Sequence, residues 1–163
     1  VPAIKPAAAA SNRIAVWATA ATTASAYQAR LIEEFASDRA VTPIACHGLA
    51  DAIDRGDAEG VSAAIRAAVA ATPADVESVV LGCTHYPLVA TEIVAALPSG
   101  VQLFDSADAV ARQTLRRIDE LGDGDQGTGA VSVSLSGRDG FLPASALAYA
   151  EGSLWAGVQP VHR

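Results

Sequence analysis

Short apolar segments alternate with amphipathic segments along this chain, and that alternation limits the possible folds more than any other feature. The apolar segments are brief and rich in Val, Ile and Leu, which is typical of buried strands. The segments between them repeat apolar residues with the periodicity of a helix. Strands that alternate with helices predict a three-layer α/β fold, in which a parallel sheet lies between two layers of helices.

The same pattern places the individual elements. Strands are predicted at Arg13–Ala18, Val41–Cys46, Val76–Gly82 and Val101–Phe104, and an exposed or edge strand at Val131–Leu135. Helices are predicted at Ala24–Ala36, Leu49–Arg55, Val61–Val69, Leu88–Leu97 and Ala107–Leu121. In the first of these helices the predicted buried residues are Ala24, Tyr27, Leu31 and Phe35, and Gln28 is predicted on the surface. A flexible turn is predicted at Gly122–Gly129.

Charge and composition exclude several functional classes. The 163 residues carry a formal net charge of -7 without a cluster of Lys and Arg, so we expect no nucleic-acid partner. No apolar run approaches the roughly 20 residues that a membrane helix needs, so we expect no membrane partner. Two cysteines cannot form a disulfide framework, and the N-terminus lacks the layout of a signal peptide. These features predict a cytoplasmic protein with reduced thiols.

Polar side chains follow two of the predicted strands. Thr19–Thr23 follows the first strand, and Cys83–His85, within the run GCTHYP, follows the third. Parallel sheets bind ligands beyond the carboxyl ends of their strands, so both segments are predicted at one binding site. If the second segment is extended, Cys83 and His85 point to the same side, where the imidazole can stabilise a thiolate or pass a proton. Thr84 and nearby N–H groups can hold a substrate carboxylate.

Two other interpretations of these residues stay open at this point. A cysteine after an apolar strand is more often a small buried hydrophobic residue, and a lone histidine is more often structural. A metal site would need Cys46 and His47 to join Cys83 and His85, and the chain has no Cys-X-X-Cys spacing. We therefore expect no metal.

The residues around Cys83 resemble a known motif. Val79–Leu88, with the sequence VVLGCTHYPL, is similar to the second cysteine motif of the glutamate racemases, which belong to the aspartate/glutamate racemase superfamily. Further segments resemble the same family in the same order, namely Val1–Ala7, Ile14–Thr22 with Ser25 and Tyr27, and Val101–Ala107. The resemblance spans nearly all of residues 1–140. Chance does not explain so many motifs in register.

The resemblance implies a cofactor-independent glutamate racemase, which interconverts L- and D-glutamate and supplies D-glutamate for peptidoglycan synthesis. Such enzymes place two cysteines on opposite faces of the substrate, and each acts in turn as general base and general acid. Transferred by motif, Cys83 is one base, His85 assists it, and both Thr84 and His85 contact the substrate. The implied partner is the small molecule glutamate, and a homo-oligomer is implied for the full-length protein.

Three more residues receive roles from the resemblance alone. Thr19 and Thr22 are candidates for holding a substrate carboxylate. Asp54 is a possible acidic assistant, although His47-Gly48 departs from the sequence that usually surrounds the position of Cys46 in the family.

The chain also departs from the family in what it lacks. The family's first half supplies the opposing cysteine and an N-terminal Asp-Ser pair, and neither motif is present here. Cys46 lies in a different sequence, ACHG, and Asp105-Ser106 follows the Cys83 motif rather than preceding it. The chain has no methionine and begins at Val1, which favours a fragment. We therefore expect one wall of a two-walled active site, and no racemase activity from this chain alone.

The resemblance divides the chain into three parts. Residues 1–12 are predicted to link from the first half, residues 13–104 to form the second α/β racemase domain, and residues 105–163 to pack with the first domain. Alternative functions are an aspartate or hydantoin racemase of the same superfamily, or a non-catalytic, truncated binding module. The run from Cys83 to Pro87 favours glutamate among the racemases.

Overall fold

The computed structural model describes residues 2–122 and 131–155. Its strands are β1 (Arg13–Ala18), β2 (Ala40–Ala45), β3 (Ser78–Leu81), β4 (Gln102–Phe104), β5 (Val133–Leu135) and β6 (Arg138–Gly140). Its α-helices are α1 (Ile4–Ala10), α2 (Ala20–Thr23), α3 (Ala26–Ala36), α4 (Leu49–Arg55), α5 (Ala58–Ala71), α6 (Ala90–Ala96), α7 (Ala107–Leu121) and α8 (Ala150–Ser153). Two 3-10 helices lie at Tyr86–Val89 and Ala144–Ala148.

The first four strands form one parallel sheet in the order β2-β1-β3-β4. Strand β1 lies between two neighbours and is buried from Ile14 to Ala18. Ile14 and Val16 belong to a cluster with α1 and α3, whereas the indole of Trp17 donates a hydrogen bond of 2.9 Å to Thr72 at the end of α5. Helices therefore cover both faces of the sheet, and the predicted three-layer α/β fold is confirmed.

Most predicted elements occur within a few residues of their predicted bounds. The strand Arg13–Ala18 and the helices Leu49–Arg55 and Ala107–Leu121 match as predicted, and Gly56 closes α4 in the left-handed conformation. The predicted exposed strand at Val131–Leu135 is one half of a small antiparallel hairpin, β5–β6. Of the predicted turn at Gly122–Gly129, only Gly122 lies within the described residues, with a φ of 69°.

The buried face predicted for the helix Ala24–Ala36 is only partly correct: Phe35 packs against the core cluster and Leu31 is half-buried, whereas Ala24 and Tyr27 are exposed. The chain breaks at Ala24, and Ser25 caps a new helix, α3, by accepting a hydrogen bond from the N–H of Gln28. The face that meets the sheet then contains Gln28, which is 5% exposed, and Ala36. Tyr27 is 58% exposed instead of buried. The sequence pattern treats residues 24–36 as one continuous helix. It therefore does not predict that the helix begins only after the Ser25 cap, with Gln28 on its buried face.

Helix α1 is an element that the sequence pattern did not predict. Residues 1–12 were expected to be a linking segment, but Ile4–Ala10 is helical and buries Ile4, Ala7 and Ala8. These residues pack with Val16 and Val80 in one core cluster. Its Pro6 is tolerated because it lies in the first turn, where backbone N–H groups have no partner within the helix.

The chain falls into two compact units, residues 1–113 and residues 114–163. The parallel sheet and helices α1 to α6 lie in the first unit. The β5–β6 hairpin and α8 lie in the second unit. No helix in the described part of the chain is long and apolar enough to cross a membrane.

The packing of α1 predicts a measurable contribution to stability. Ile4→Ala should lower the free energy of unfolding by about 2–4 kcal/mol, because it leaves a cavity in the core cluster. Urea denaturation followed by tryptophan fluorescence measures the change. Val94→Ala is the control, because Val94 is 54% exposed on α6 and should cost less than about 1 kcal/mol. Equal effects of the two substitutions would show that α1 is only a link.

Candidate functional site

Gly82 allows the chain to leave β3 close to the end of β1. A Cβ atom on Gly82 would lie 3.2 Å from both the Ala18 Cβ and the Trp17 carbonyl oxygen, so a larger residue would push the two segments apart. The N–H of Gly82 donates a hydrogen bond of 2.7 Å to that same carbonyl. The next residue, Cys83, is thereby fixed beside the carboxyl end of the central strand.

The chain bends after Gly82 and brings Cys83 and His85 together. The Cys83 Sγ lies 3.7 Å from the His85 Nδ1, within hydrogen-bonding distance for sulfur. The predicted proximity is therefore present, but its predicted geometrical reason is wrong, because residues 83–85 are a bend and not an extended strand. Both side chains are half-buried. The thiol can donate to a neutral imidazole, or a protonated imidazole can donate to the thiolate.

The helix after Cys83 also differs from its predicted form. The predicted helix Leu88–Leu97 is observed as a 3-10 helix, Tyr86–Val89, followed by α6, Ala90–Ala96. Pro87 lies in the first turn of the 3-10 helix, as expected for a residue without an N–H. The N–H of Tyr86 approaches the Cys83 carbonyl at 3.4 Å, so the bend is closed by its own backbone.

Thr19 and Thr22 lie at the carboxyl end of β1, where both were predicted. The Thr19 Oγ1 accepts a hydrogen bond of 3.2 Å from the Thr22 N–H and so caps α2. The Thr19 hydroxyl donates to the Thr22 Oγ1 at 3.0 Å. In this arrangement the Thr22 hydroxyl keeps its own proton to donate to a ligand. Thr19 is chiefly a cap, whereas Thr22 can contact a bound molecule.

A cavity of about 260 Å³ joins these segments within the first unit. It is bounded by residues of α1, β1, α3, β3 and the start of α7. The polar residues of its lining are Thr22, Tyr27, Gln28, Cys83, Thr84 and Ser106. Cys83, Thr84 and Thr22 are thus brought together as predicted from sequence. Gln28 and Ser106 were not predicted at this site.

Cys46 is placed differently from Cys83. It is 3% exposed, it is not part of the cavity lining, and its Sγ lies 3.8 Å from the Ile44 carbonyl oxygen. Burial raises the pKa of the Cys46 thiol to about 12, so the thiolate is scarce at neutral pH. The fully buried Tyr86 donates a hydrogen bond of 3.5 Å from its hydroxyl to the Cys46 carbonyl. These contacts describe a structural cysteine.

Asp54 is not joined to the site by a described contact. It is exposed on α4, and no hydrogen bond or ion pair within residues 2–122 and 131–155 links it to Cys83 or His85. The Asp105 Oδ1 accepts a hydrogen bond of 2.9 Å from the N–H of Ala107, the first residue of α7. In the described part of the chain, no cluster of three or more His, Cys, Asp or Glu side chains is placed to hold a metal ion.

The sequence matches a family model described as Asp/Glu/Hydantoin racemase over residues 2–114. Glutamate racemase from Pseudomonas paraeruginosa is 39% identical over 122 residues, which are 71% of this chain and 45% of the relative. Glutamate racemase from Pseudomonas syringae is 40% identical over 128 residues, 74% of this chain and 46% of the relative. The chain therefore spans about half the length of the curated relatives it matches.

Solved structures give the same result for the fold. Escherichia coli glutamate racemase, in complex with L-glutamate and an activator, matches with a TM-score of 0.66 and 29% identity, over 73% of this chain and 47% of that one. Glutamate racemase from Thermus thermophilus matches with a TM-score of 0.60 and 27% identity, over 98% of this chain and 60% of that one. The predicted resemblance and the predicted fold class are both confirmed.

The two thiols should differ in reactivity. At pH 8, iodoacetamide should alkylate Cys83 at least about tenfold faster than Cys46, because Cys46 is buried and has little thiolate. Mass spectrometry of the two cysteine peptides measures both rates in one sample. In urea the rates should converge, because unfolding exposes both thiols. A faster reaction of Cys46 in the native protein would contradict this assignment.

The raised pKa of Cys46 also predicts a dependence of stability on pH. In the folded protein the pKa of the Cys46 thiol is about 12, whereas the ordinary pKa of an exposed thiol is 9.0. The stabilisation is therefore complete below about pH 9 and is lost as the pH rises toward 12. Urea titrations at pH 8 and pH 10.5 should show a loss of roughly 1–2 kcal/mol from this group. The free energy of unfolding of Cys46→Ala should decline less steeply with pH than that of the wild type. Equal declines would show that the Cys46 thiol is not the cause.

Proposed function

This chain belongs to the Asp/Glu/Hydantoin racemase family, and we propose that it provides one of the two catalytic bases of a cofactor-independent glutamate racemase. Relatives at 39% and 40% identity carry the name glutamate racemase. The matched Escherichia coli structure contains L-glutamate. These relatives favour glutamate over aspartate or a hydantoin as the substrate of this chain.

The observation that carries the proposal is the position of the Cys83 thiol. It lies in the wall of the cavity, it is half exposed, and it has the His85 Nδ1 at 3.7 Å. A general base must reach the proton it abstracts, and the cavity gives a small molecule access to the sulfur. The imidazole can receive the thiol proton, which leaves a thiolate facing the substrate.

The proposed reaction moves one proton off the α-carbon and another onto it. The Cys83 thiolate takes the α-proton from one face of glutamate, and the electron pair stays on the α-carbon next to the carboxylate. A second acid then donates a proton to the opposite face, which inverts the centre. In the reverse direction the Cys83 thiol is the acid and the second group is the base.

Fixed hydrogen-bond donors must stabilise the charge that develops on the carboxylate in this reaction. Thr22 and Thr84 both line the cavity and are the proposed contacts to the substrate carboxylate, together with His85. Thr19 contributes by orienting Thr22 through the 3.0 Å hydrogen bond between their hydroxyls. Asp54 remains a proposed acidic assistant, although its position on α4 is exposed.

Cys46 is unsuited to be the second base. Its side chain is buried outside the cavity lining, and its raised pKa disfavours the thiolate. We propose that the opposing cysteine belongs to a first half of the protein outside this chain, and that residues 1–163 alone do not racemise glutamate. The proposal is consistent with a chain that spans about half the length of its relatives.

The exposed apolar residues of α7 support a division of the chain between two domains. Within the second unit, α7 carries Leu115, Ile118 and Leu121 on one face, and these residues are 47–78% exposed. An apolar face of this kind on a helix is the usual signature of a contact surface. We propose that residues 13–104 form the second racemase domain, that residues 1–12 lead into it, and that residues 105–163 pack on the first domain.

The proposed biological role follows from the proposed reaction. D-glutamate made by such an enzyme would serve peptidoglycan synthesis in the cytoplasm, and the full-length protein would be a homo-oligomer that binds neither nucleic acid nor membranes. A truncated binding module is a second candidate, because the exposed face of α7 suits association without catalysis.

The activity is tested with the chain alone and with the chain joined to a complementary half. The partner is the part of the Pseudomonas syringae relative outside the matched region. With L-glutamate, circular dichroism should show no racemisation by the chain alone and racemisation by the joined protein. Cys83→Ala should lower kcat by at least about 10³-fold, because a base is lost. His85→Asn should lower it by a smaller factor.

Cys46→Ala is the matched control, and it should retain most of the activity. Racemisation by the chain alone would refute the proposal that a second half is needed. Full activity of the joined Cys83→Ala protein would refute the role of Cys83. A joined protein that folds, binds glutamate and never racemises it would favour the binding module.

A further inference from the structure

The inner wall of the cavity differs in chemistry from its mouth. Thr22, Cys83, Thr84 and Ser106 are exposed or half-buried and form the mouth. The inner wall includes Ile4, Val16 and Val80, each at most 5% exposed. No Asp, Glu, Lys, Arg or His residue contributes to the described lining. The interior therefore disfavours a charged group, which would lose its hydration without gaining an ion pair.

Gln28 is the polar exception on the inner wall. It is 5% exposed, it lines the cavity, and its Nε2 has no hydrogen-bond partner among the described residues. A buried amide without a partner is unfavourable, so its presence in a native protein calls for an explanation. The terminal torsion of a glutamine is soft, so the amide can turn its N–H groups toward a molecule in the cavity.

We propose that the inner part of this cavity binds a small uncharged molecule with an apolar body and a carbonyl oxygen that accepts a hydrogen bond from Gln28. The whole cavity, with its mouth, has a volume of about 260 Å³, which far exceeds the roughly 30 Å³ that one water occupies and leaves room for a molecule behind the mouth. Apolar walls with a single well-placed polar group are typical of small-molecule sites.

The ligand of this inner site differs from the proposed substrate. Glutamate carries charges at both ends, and the hydroxyl groups proposed to meet them belong to Thr22 and Thr84, which are at the mouth. Because Cys83 lines the same cavity, an occupant of the inner site would limit access to its thiol. The inference therefore adds a regulatory site to the proposed racemase, and it does not depend on the identity of the second base.

Three probes of similar shape separate the effects of the apolar ring, the hydrogen-bond acceptor and the charge on binding. Benzamide has an uncharged carbonyl group on an apolar ring, benzoate replaces the amide by a charged carboxylate, and toluene has no hydrogen-bond acceptor. Benzamide should raise the melting temperature of the chain with a Kd on the order of 1 mM, and should slow alkylation of Cys83 by iodoacetamide. Benzoate should bind at least about tenfold more weakly, because the site offers no cation.

Gln28→Leu tests the role of the amide at nearly constant side-chain size. It should weaken benzamide binding about five- to tenfold and leave toluene binding unchanged, because only the hydrogen bond is lost. Gln102→Leu is the control, because Gln102 is exposed on β4 and outside the cavity lining. It should bind all three probes as the wild type does.

Three results would overturn the inference. They are the absence of any benzamide effect on melting temperature and alkylation, equal binding of benzoate, or unchanged benzamide binding by Gln28→Leu. If benzamide fails while Cys83 still reacts faster than Cys46, the inner site is refuted and the proposed role of Cys83 is not. If Cys83 is unreactive and benzamide still raises the melting temperature, the proposed role of Cys83 is refuted and the inner site is not.

Discussion

The pairing of β3 with β1, the two buried strands of the sheet, is the constraint on which the rest of the structure depends. Parallel pairing aligns Trp17 with Leu81, so both strands end at the same edge. Gly82 then passes within contact distance of the end of β1. A side chain at this position would displace Trp17 and Ala18. The threonines after β1 and the Cys83 bend after β3 are neighbours for this reason.

Much of this arrangement could be predicted from the sequence because it follows from local patterns. The apolar run before Cys83 specifies a buried strand, and the carboxyl ends of parallel strands share one edge. The thiol and the imidazole were also expected to be close. The reason differs, however, because their contact depends on a bend and a 3-10 helix that no residue periodicity encodes.

The features that the sequence pattern missed depend on packing across long stretches of chain. Helix α1 is a short Ala-rich segment with a proline, and it is buried because α3 and the sheet leave room for it. Gln28 was assigned to the surface because glutamine is polar, yet the cap at Ser25 turns it toward the cavity. A polar residue in a buried position cannot be identified from its own type. The comparison with relatives, in contrast, rests on extended sequence similarity and confirms the family directly.

The central claim is that Cys83 serves one face of the substrate and a group outside this chain serves the other. Stereospecific exchange of the α-proton tests it most directly. In deuterated water, the joined protein should introduce deuterium into both enantiomers of glutamate. With Cys83→Ala, exchange should persist for the enantiomer whose α-proton faces the remaining base and should stop for the other. Equal exchange of both enantiomers by the Cys83→Ala protein would contradict the account.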